Sequence, residues 1–159
     1  MNKNVKTIAM ASGGTGGHLY PAIEVGNSLI NNGFKTIFFV DERVKNLIKD
    51  KQTVFIKAGS PFKKGFFAKL NNILSLIIGL FQSIYFLSIN KVDLVIGFGG
   101  YLSVPVVIAA WLLKLPIIIH EQNAILGRAN KLCLIFSRKI ALSFNKTENL
   151  TQKNKSFFT

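Results

Sequence analysis

Three loops in this sequence combine glycines with the chain's two histidines. They read Gly13-Gly14-Thr15-Gly16-Gly17-His18, Gly97-Phe98-Gly99-Gly100-Tyr101-Leu102-Ser103 and His120-Glu121-Gln122-Asn123. Glycines at a strand-to-helix turn let backbone N–H groups approach an anion closely, and the helix N-terminus adds partial positive charge. The loops therefore predict a site for a phosphate or pyrophosphate, with imidazole and carboxylate groups beside it.

Single residues in these loops also have simpler interpretations. A tight turn that needs positive φ would explain one or two glycines, although four in five positions exceed that need. Ser103 is placed to cap a following helix, which would make the second loop another anion site. Glu121 is a candidate to orient a histidine or to accept a hydroxyl proton, and the alternative is an ordinary cap or solvated acid.

Several familiar site types do not fit the residues. The first loop lacks the Gly-Lys-Ser/Thr ending of a P-loop, and Leu19 stands where the dinucleotide fingerprint needs its third glycine. Asp41 after the second strand would suit a ribose, so a nucleotide-dependent oxidoreductase stays as an alternative. There is no Asp-x-Asp, and one cysteine with two histidines makes no zinc pattern, so we expect no metal and no cofactor.

The elements around the loops alternate between strand and helix, and strands such as Pro116–Ile119 are continuous apolar runs. This pattern predicts an α/β fold: a single doubly wound, Rossmann-like parallel sheet with helices on both faces. Its ligand crevice should lie where strand order reverses, between the first and fourth strands. The predicted strands are Val5–Ala11, Thr36–Val40, Thr53–Lys57, Val92–Ile96, Pro116–Ile119 and Lys139–Ser143, and the predicted helices are Tyr20–Asn32, Glu42–Asp50, Lys69–Ile89, Ser103–Leu113 and Gly127–Ile135.

The 159 residues suit one domain, residues 1–144, followed by a polar tail or truncated linker at 145–159 in which no strand or helix period is visible. The net charge is +13, from 20 Lys and Arg against 7 Asp and Glu. Codon bias is one explanation. Eight of the basic residues, however, lie between Arg43 and Lys69 beside an uncharged apolar stretch, which favours an anionic membrane surface over nucleic acid.

The apolar helix predicted at Lys69–Ile89 has two interpretations. As a buried crossover helix it would place Leu74, Ile77, Ile78, Phe81 and Tyr85 in the core. Its polar outer face would then consist only of Asn71, Asn72, Ser75, Gln82 and Ser83, so we favour a helix that lies partly exposed on lipid. The membrane-facing residues would be Lys63, Lys64, Phe66, Phe67, Lys69, Leu70, Ile73, Leu74, Ile77 and Phe81.

Three motifs resemble the N-terminal half of the MurG family, the bacterial peptidoglycan N-acetylglucosaminyltransferases of GT-B architecture in glycosyltransferase family 28. They are Gly13-Gly-Thr-Gly-Gly-His18-x-x-Pro21-Ala22, Gly97-x-Gly-Gly-Tyr101-x-Ser103-x-Pro105 and His120-Glu-Gln-Asn123-x-x-x-Gly127-x-x-Asn130. The resemblance covers about Val5 to Phe144. It implies metal-independent, inverting transfer of N-acetylglucosamine from UDP-N-acetylglucosamine to lipid I, giving lipid II, by a peripheral protein at the cytoplasmic face of the cell membrane.

The resemblance also implies roles for individual residues. Asn123 and Tyr101 would position sugar hydroxyls, and the catalytic base would be His18 first or Glu121 second. Residues that reach the donor would be Thr15, Gly16, Gly17 and Asn123. Residues that hold the acceptor's pyrophosphate and sugar would be Gly13, Gly14, Gly99, Gly100, Tyr101, Ser103 and His120.

The sequence departs from the family after Ser143-Phe144, where the C-terminal domain that grips the donor is expected. A fragment, a disrupted gene and one subunit of a split enzyme with a separately encoded donor domain are the three explanations. We expect activity only with a donor domain in trans. The alternatives to a transferase are a catalytically inactive peripheral membrane-binding domain and the oxidoreductase named above.

Overall fold

The computed structural model describes residues 6–49, 51–59 and 66–159, with side chains in the last range from residue 70 onward. In these residues seven strands are connected by four α-helices and two short 3₁₀ segments. The strands are β1 (Thr7–Ala11), β2 (Lys35–Val40), β3 (Thr53–Phe55), β4 (Leu94–Gly97), β5 (Ile117–Glu121), β6 (Lys139–Leu142) and β7 (Ser156–Phe158). The helices are α1 (Gly16–Asn31), α2 (Phe66–Ile89), α3 (Ser103–Leu112) and α4 (Arg128–Cys133), and the predicted helix after β2 is a 3₁₀ segment, Glu42–Leu47.

All seven strands form one sheet in the order β3-β2-β1-β4-β5-β6-β7, and every pairing in it is parallel. The predicted doubly wound α/β fold is confirmed, and so is the reversal of strand order between β1 and β4. The carboxyl ends of β1, β4 and β5 are therefore neighbours, as the three loops require.

Apolar residues on both faces of each strand hold the helices against the sheet. Along β1, Ile8 and Met10 belong to one buried cluster, which includes Leu19 and Ala22 of α1. Ala9 and Ala11 belong to the other cluster, which includes residues of α2, α3 and α4. Successive side chains of a strand point to opposite faces, so α1 covers one face of the sheet and the other three helices cover the opposite face.

Helix α2 is inverted relative to an ordinary surface helix. Its polar residues lie mostly inward: Asn72 is 9% exposed, Ser83 is fully buried, and Gln82 Oε1 accepts a 2.9 Å hydrogen bond from the Lys57 backbone N–H. The interpretation that placed Leu74, Ile77, Ile78, Phe81 and Tyr85 in the core is wrong, because all five are exposed. The large apolar side chains exposed along it are Leu70, Ile73, Leu74, Ile77, Ile78, Phe81, Tyr85 and Ile89.

The segment Leu70–Ile89 is long and apolar enough to cross a membrane by length and composition, and only 17% of an apolar 18-residue stretch within it is buried. It nevertheless connects strands of one sheet and packs along α3. Lys63 and Lys64, two of the residues predicted to face a membrane, lie outside the described residues. The side chains of Phe66, Phe67 and Lys69 lie outside the described part of the chain as well.

The expectation that no strand follows Asn145 is wrong. Ser156, Phe157 and Phe158 form β7, which pairs with Ile140, Ala141 and Leu142 of β6. A three-residue edge strand is too short to show a hydrophobic period, and both phenylalanines of β7 are exposed, so no apolar pattern marked it.

Candidate active site

The two glycine loops are in direct backbone contact at the carboxyl edge of the sheet. The Gly13 N–H donates to the Gly99 carbonyl oxygen at 2.9 Å. A Cβ on Gly13 would lie 2.8 Å from Gly100 Cα, and a Cβ on Gly100 would lie 2.6 Å from Gly13 Cα. Gly100 also has φ +76°, a left-handed conformation that strains other residues. The loops therefore form one surface because both of them lack side chains there.

His18 lies in the first turn of α1 and brings all three loops together. Cβ atoms built on Gly99 and Gly100 would lie 3.2 Å and 3.5 Å from its ring. Its Nδ1 lies 2.6 Å from Nε2 of Gln122 in the third loop. The half-buried imidazole thus packs against the second loop and hydrogen-bonds the third, while its own backbone belongs to the first.

Glu121 is fully buried at the end of β5, and donors surround its carboxylate. Oε1 accepts from the backbone N–H of Asn123 at 3.0 Å and from its Nδ2 at 2.8 Å. Oε2 accepts from Gly127 N at 2.9 Å and from Asn130 Nδ2 at 2.9 Å. These bonds compensate the burial of the charge and tie the third loop to the start of α4.

His120 also lies at the end of β5, where its ring contacts Phe98 at a centroid distance of 5.1 Å. Its Nδ1 lies 3.5 Å from Gln122 Oε1. Burial lowers the pKa of His120 below its ordinary value of 6.5, against the opposing effects of Gln122 and Glu121. The neutral imidazole is therefore the form that the folded protein favours.

A pH effect on stability follows from His120. Because its pKa is lower in the folded state, the unfolded chain binds more protons below an unfolded-state pKa of about 6.5. We expect this group to leave the free energy of unfolding unchanged above about pH 7, to lower it as the pH falls from about 6.5 to the folded-state pKa, and to have no further effect below that pKa, where both states are protonated. Urea unfolding of wild type and of His120→Gln across this pH range checks the prediction. The free energy of unfolding of the variant should depend less steeply on pH. Parallel pH profiles for the two proteins would contradict the prediction.

A cavity of about 520 Å³ opens in front of the loops. Gly13, Gly14, Thr15 and His18 line one side of it, and Gly100, Tyr101 and Leu102 belong to the second loop. Arg43, Ala58, Gly59, Asn72 and Ser75 complete the lining. A smaller cavity of about 220 Å³ is lined by His18, Gly99, Gly100, Tyr101, Gly127, Arg128, Ala129 and Asn130. His18 therefore lines both cavities.

Arg43 places a cation in the larger cavity. Its guanidinium binds the Asp41 carboxylate twice, Nη2 to Oδ2 at 2.6 Å and Nε to Oδ1 at 3.0 Å, while its side chain stays 72% exposed. Asp41 also accepts from the Arg43 backbone N–H and so begins the 3₁₀ segment. Because Asp41 is engaged in this way, Arg43 is held at the cavity edge, where its remaining N–H groups suit a phosphate oxygen.

The structure brings together most of the residues predicted for the site. Thr15 and Gly17 are exposed at the start of α1, beside the cavity. Ser103 is different: it is fully buried, it is the first residue of α3 rather than its cap, and its Oγ donates to the Gly100 carbonyl at 2.8 Å. The Ser103 hydroxyl therefore stabilises the second loop from inside the protein. His120, which was also predicted for the site, lines neither cavity.

Five residues around the site had no role assigned to them from the sequence. Arg43 was counted only as part of the basic stretch, and Asn72 and Ser75 only as the polar face of a helix. Gln122 and Asn130 stood within a motif whose other members are more reactive. Asn72 Nδ2 is buried without a hydrogen-bond partner in the described part of the chain, at the wall of the larger cavity. Within residues 6–49, 51–59 and 66–159, no three His, Cys, Asp or Glu side chains are placed to hold a metal.

An open, doubly wound parallel sheet with paired glycine loops at its switch point is a Rossmann-like domain of the kind that binds phosphate-containing ligands. Comparison with known proteins is specific: residues 8–142 match the glycosyltransferase family 28 N-terminal domain. The chain belongs to this family.

Similar proteins from two bacteria carry the same enzyme name. Those from Rickettsia rickettsii and Rhodospirillum rubrum, both named UDP-N-acetylglucosamine–N-acetylmuramyl-(pentapeptide) pyrophosphoryl-undecaprenol N-acetylglucosamine transferase, are 39% and 40% identical to it over 158 and 147 residues. These alignments cover 96% and 89% of this chain and 40% and 37% of the relatives. The chain thus spans about 40% of their length.

Solved structures agree on the fold. The crystal structure of Acinetobacter baumannii MurG superposes with a TM-score of 0.79 at 26% identity, covering 98% of this chain and 45% of that one. A Streptomyces glycosyltransferase, SsfS6, superposes with a TM-score of 0.61 at 13% identity, covering 82% of this chain and 44% of that one, a likeness of fold alone. Three of these four proteins are named as transferases or glycosyltransferases, and none of the four supports the oxidoreductase alternative.

Proposed function

We propose that this chain is the acceptor-binding part of an inverting N-acetylglucosaminyltransferase that converts lipid I to lipid II, with UDP-N-acetylglucosamine as donor. The observation that carries the proposal is the meeting of three loops at His18, which lines two cavities. The family and the names of the relatives supply the substrate class. Because the chain spans about 40% of those relatives, we place the donor-binding domain of the proposed enzyme outside these 159 residues.

The acceptor carries a pyrophosphate, and the larger cavity offers groups that suit it. Gly13 and Gly14 place backbone near the ligand, and Arg43 adds a fixed positive charge at the rim. Charge-assisted hydrogen bonds from such groups are about twice as strong as neutral ones. Thr15 makes no capping hydrogen bond to α1, so its exposed hydroxyl is free to meet the donor, together with Gly16, Gly17 and Asn123.

In the proposed reaction the C4 hydroxyl oxygen of the muramyl sugar attacks the anomeric carbon while the bond to UDP breaks. The hydroxyl proton leaves in this step to a base, which is either a side chain or a phosphate oxygen of the departing UDP. Glu121 does not suit the task of accepting it, because its carboxylate is fully buried and already accepts four hydrogen bonds. We assign Glu121 to loop positioning and His18 to direct substrate contact.

A binding and transfer assay tests the proposed function. The 159-residue chain should bind vesicles containing lipid I at least about tenfold more tightly than matched vesicles without it, and His18→Ala should weaken that preference by about the same factor. Glu24→Ala, at an exposed position of α1, is the matched control. With the donor domain of a relative added, transfer of labelled N-acetylglucosamine should appear. Equal binding to both vesicle types would instead indicate a membrane-binding domain without this chemistry.

We extend the proposal to the membrane surface, where α2 would lie on lipid. From Leu70 to Ile89 its outward face is mainly apolar, with Phe81 67% and Tyr85 59% exposed. Trp111 and Leu112 of α3, the helix that packs along α2, are exposed as well. Soluble surfaces rarely leave so many neighbouring apolar side chains in water. The predicted basic residues Lys63, Lys64 and Lys69 would meet anionic head groups, and the protein would be peripheral at the cytoplasmic face.

Matched variants on the two faces of the sheet test this orientation. Ile77 on α2 and Ile30 on α1 are equally exposed, at 45% each, but lie on opposite faces. We expect Ile77→Glu combined with Phe81→Glu to lower affinity for anionic vesicles by about tenfold or more, since each buried side chain contributes about 1.5–3 kcal/mol. Ile30→Glu should change it little. Vesicle co-sedimentation measures both, and equal loss from either face would contradict the assignment of α2 to the membrane.

A further inference from the structure

Gln122 lies between the chain's two histidines, and its side-chain amide contacts both of them. Its Nε2 is 2.6 Å from His18 Nδ1 and 3.3 Å from the Phe98 carbonyl oxygen, and its Oε1 is 3.5 Å from His120 Nδ1. We propose that Gln122 is a positioning residue that holds His18 as the Nε2–H tautomer, so that His18 donates a hydrogen bond to an anionic ligand oxygen. The ligand in this statement rests on the proposed function, whereas the tautomer does not.

The orientation of the Gln122 amide follows from its partners. The Phe98 carbonyl can only accept a hydrogen bond, so the NH₂ group of Gln122 must face it. Phe98 is fully buried, and its backbone N–H donates to Ala11 at 2.8 Å, which fixes the carbonyl at the end of β4. A reversed amide would place Oε1 against another oxygen with no proton between them. The NH₂ group has two protons, one for Phe98 and one for His18 Nδ1.

A ring nitrogen that accepts a hydrogen bond carries no proton, so the neutral His18 imidazole carries its proton on Nε2. In the described part of the chain no group pairs with this Nε2–H, and the ring lines both cavities. Among the other residues at the larger cavity, Arg43 has a guanidinium that also favours an anion, and Thr15, Asn72, Ser75 and Tyr101 have polar side chains. A pyrophosphate oxygen is the ligand atom that this set of donors suits. The base role predicted for His18 needs the opposite tautomer, with a free lone pair on Nε2.

The same amide gives His120 the opposite state. Gln122 Oε1 can only accept, so the contact at 3.5 Å requires the proton on His120 Nδ1 and leaves His120 Nε2 unprotonated. Burial keeps this ring neutral, as its lowered pKa indicates. One glutamine therefore sets the two histidines in complementary tautomers, which is a distinctive and measurable arrangement.

Nitrogen-15 NMR of the histidine side chains tests the proposal without any ligand, and the assignment is simple because the chain has only two histidines. In the wild-type chain, without a histidine tag, we expect His18 as the Nε2–H form and His120 as the Nδ1–H form. In Gln122→Glu the carboxylate cannot donate, so His18 should shift to a form protonated on Nδ1. Gln122→Ala should leave His18 as a mixture of tautomers. Gln52→Glu, at an exposed glutamine, is the control and should match wild type.

The wild-type spectrum alone decides the tautomer, even if the Gln122 variants fail to fold. A His18 ring protonated on Nδ1 in wild type would overturn the proposal, as would an unchanged His18 in folded Gln122→Glu. Titration with inorganic pyrophosphate should then shift the His18 Nε2–H signal, with binding about tenfold weaker in Gln122→Glu. A wild-type signal that does not respond would overturn the anion-donor role. Loss of transferase activity in the vesicle assay would concern the proposed function and would leave the tautomer result unchanged.

Discussion

Replacement of Glu121 by alanine is expected to destabilise the chain by about 3 kcal/mol or more, as the loss of a buried, hydrogen-bonded charge does. The carboxylate accepts four hydrogen bonds, from the backbone N–H groups of Asn123 and Gly127 and from the amides of Asn123 and Asn130. Removal leaves the Gly127 N–H and the buried Asn130 amide without this acceptor. Urea unfolding at neutral pH measures the loss.

Two further variants make the Glu121 result specific. Glu121→Gln keeps the shape but turns one acceptor oxygen into a donor that faces other donors, so an intermediate loss is expected. Glu148→Ala removes an exposed carboxylate and should change the free energy of unfolding by less than about 0.5 kcal/mol. A Glu121→Ala chain as stable as Glu148→Ala would mean that the carboxylate does not organise the third loop.

Sheet order and the position of the site could be predicted because both follow from local patterns. Runs such as Ile117-Ile118-Ile119 mark strands that are buried on both faces, and helical segments between them require parallel pairing. Once β1, β4 and β5 are neighbours, their loops must share one edge. The prediction that both histidines lie there needed only this topology, and the structure confirms it.

The roles of individual loop residues could not be predicted in the same way, because hydrogen-bond partners far along the chain decide them. His18 and Gln122 are 104 positions apart, and their contact depends on how α1 docks on β1 and β2. Serine is a common helix-capping residue, yet the Ser103 hydroxyl donates a hydrogen bond to the Gly100 carbonyl. A glutamate can act as a catalytic base when a substrate can reach it. Whether Glu121 is accessible depends on where α4 begins, and in the structure it is buried. Residue type indicated the chemistry available, and tertiary packing decided which residue performs it.

Helix α2 shows a different limit. Its sequence contains polar residues at positions 72, 75, 82 and 83, on one helical face, and ordinary amphipathic logic directs that face to water. In the structure, Asn72 and Ser75 line the larger cavity and Gln82 pairs with the Lys57 backbone, so the polar face is the inner one. The rule that failed assumes water outside the protein. A helix whose outer face contacts lipid exposes its apolar side chains and turns its polar side chains inward. The orientation of α2 therefore supports the proposal that it lies on a membrane.

A methyl group at Gly100 is expected to separate the two glycine loops and to weaken any anion site that they form. Its Cβ would lie 2.6 Å from Gly13 Cα and 3.2 Å from Gly13 N, and backbone atoms cannot rotate away as a side chain can. The positive φ of +76° adds strain. We expect Gly100→Ala to lose about 2–4 kcal/mol of unfolding free energy, from about 1–3 kcal/mol of overpacking and a further contribution of about 1 kcal/mol from the backbone.

Three other glycines separate the contributions to that loss. Gly33→Ala introduces a left-handed residue, at φ +82°, with nothing within 4 Å of the new methyl, so it measures backbone strain alone. Gly13→Ala introduces the backbone clash, 2.8 Å from Gly100 Cα, without a positive φ, and Gly17→Ala introduces neither. Unfolding free energies should therefore fall in the order Gly17→Ala, then Gly33→Ala and Gly13→Ala, then Gly100→Ala. Inorganic pyrophosphate should bind Gly13→Ala and Gly100→Ala more weakly than Gly33→Ala. A Gly100→Ala chain no less stable than Gly33→Ala would mean that the two glycine loops are not in contact. It would also contradict the proposal that the two loops form one anion-binding surface.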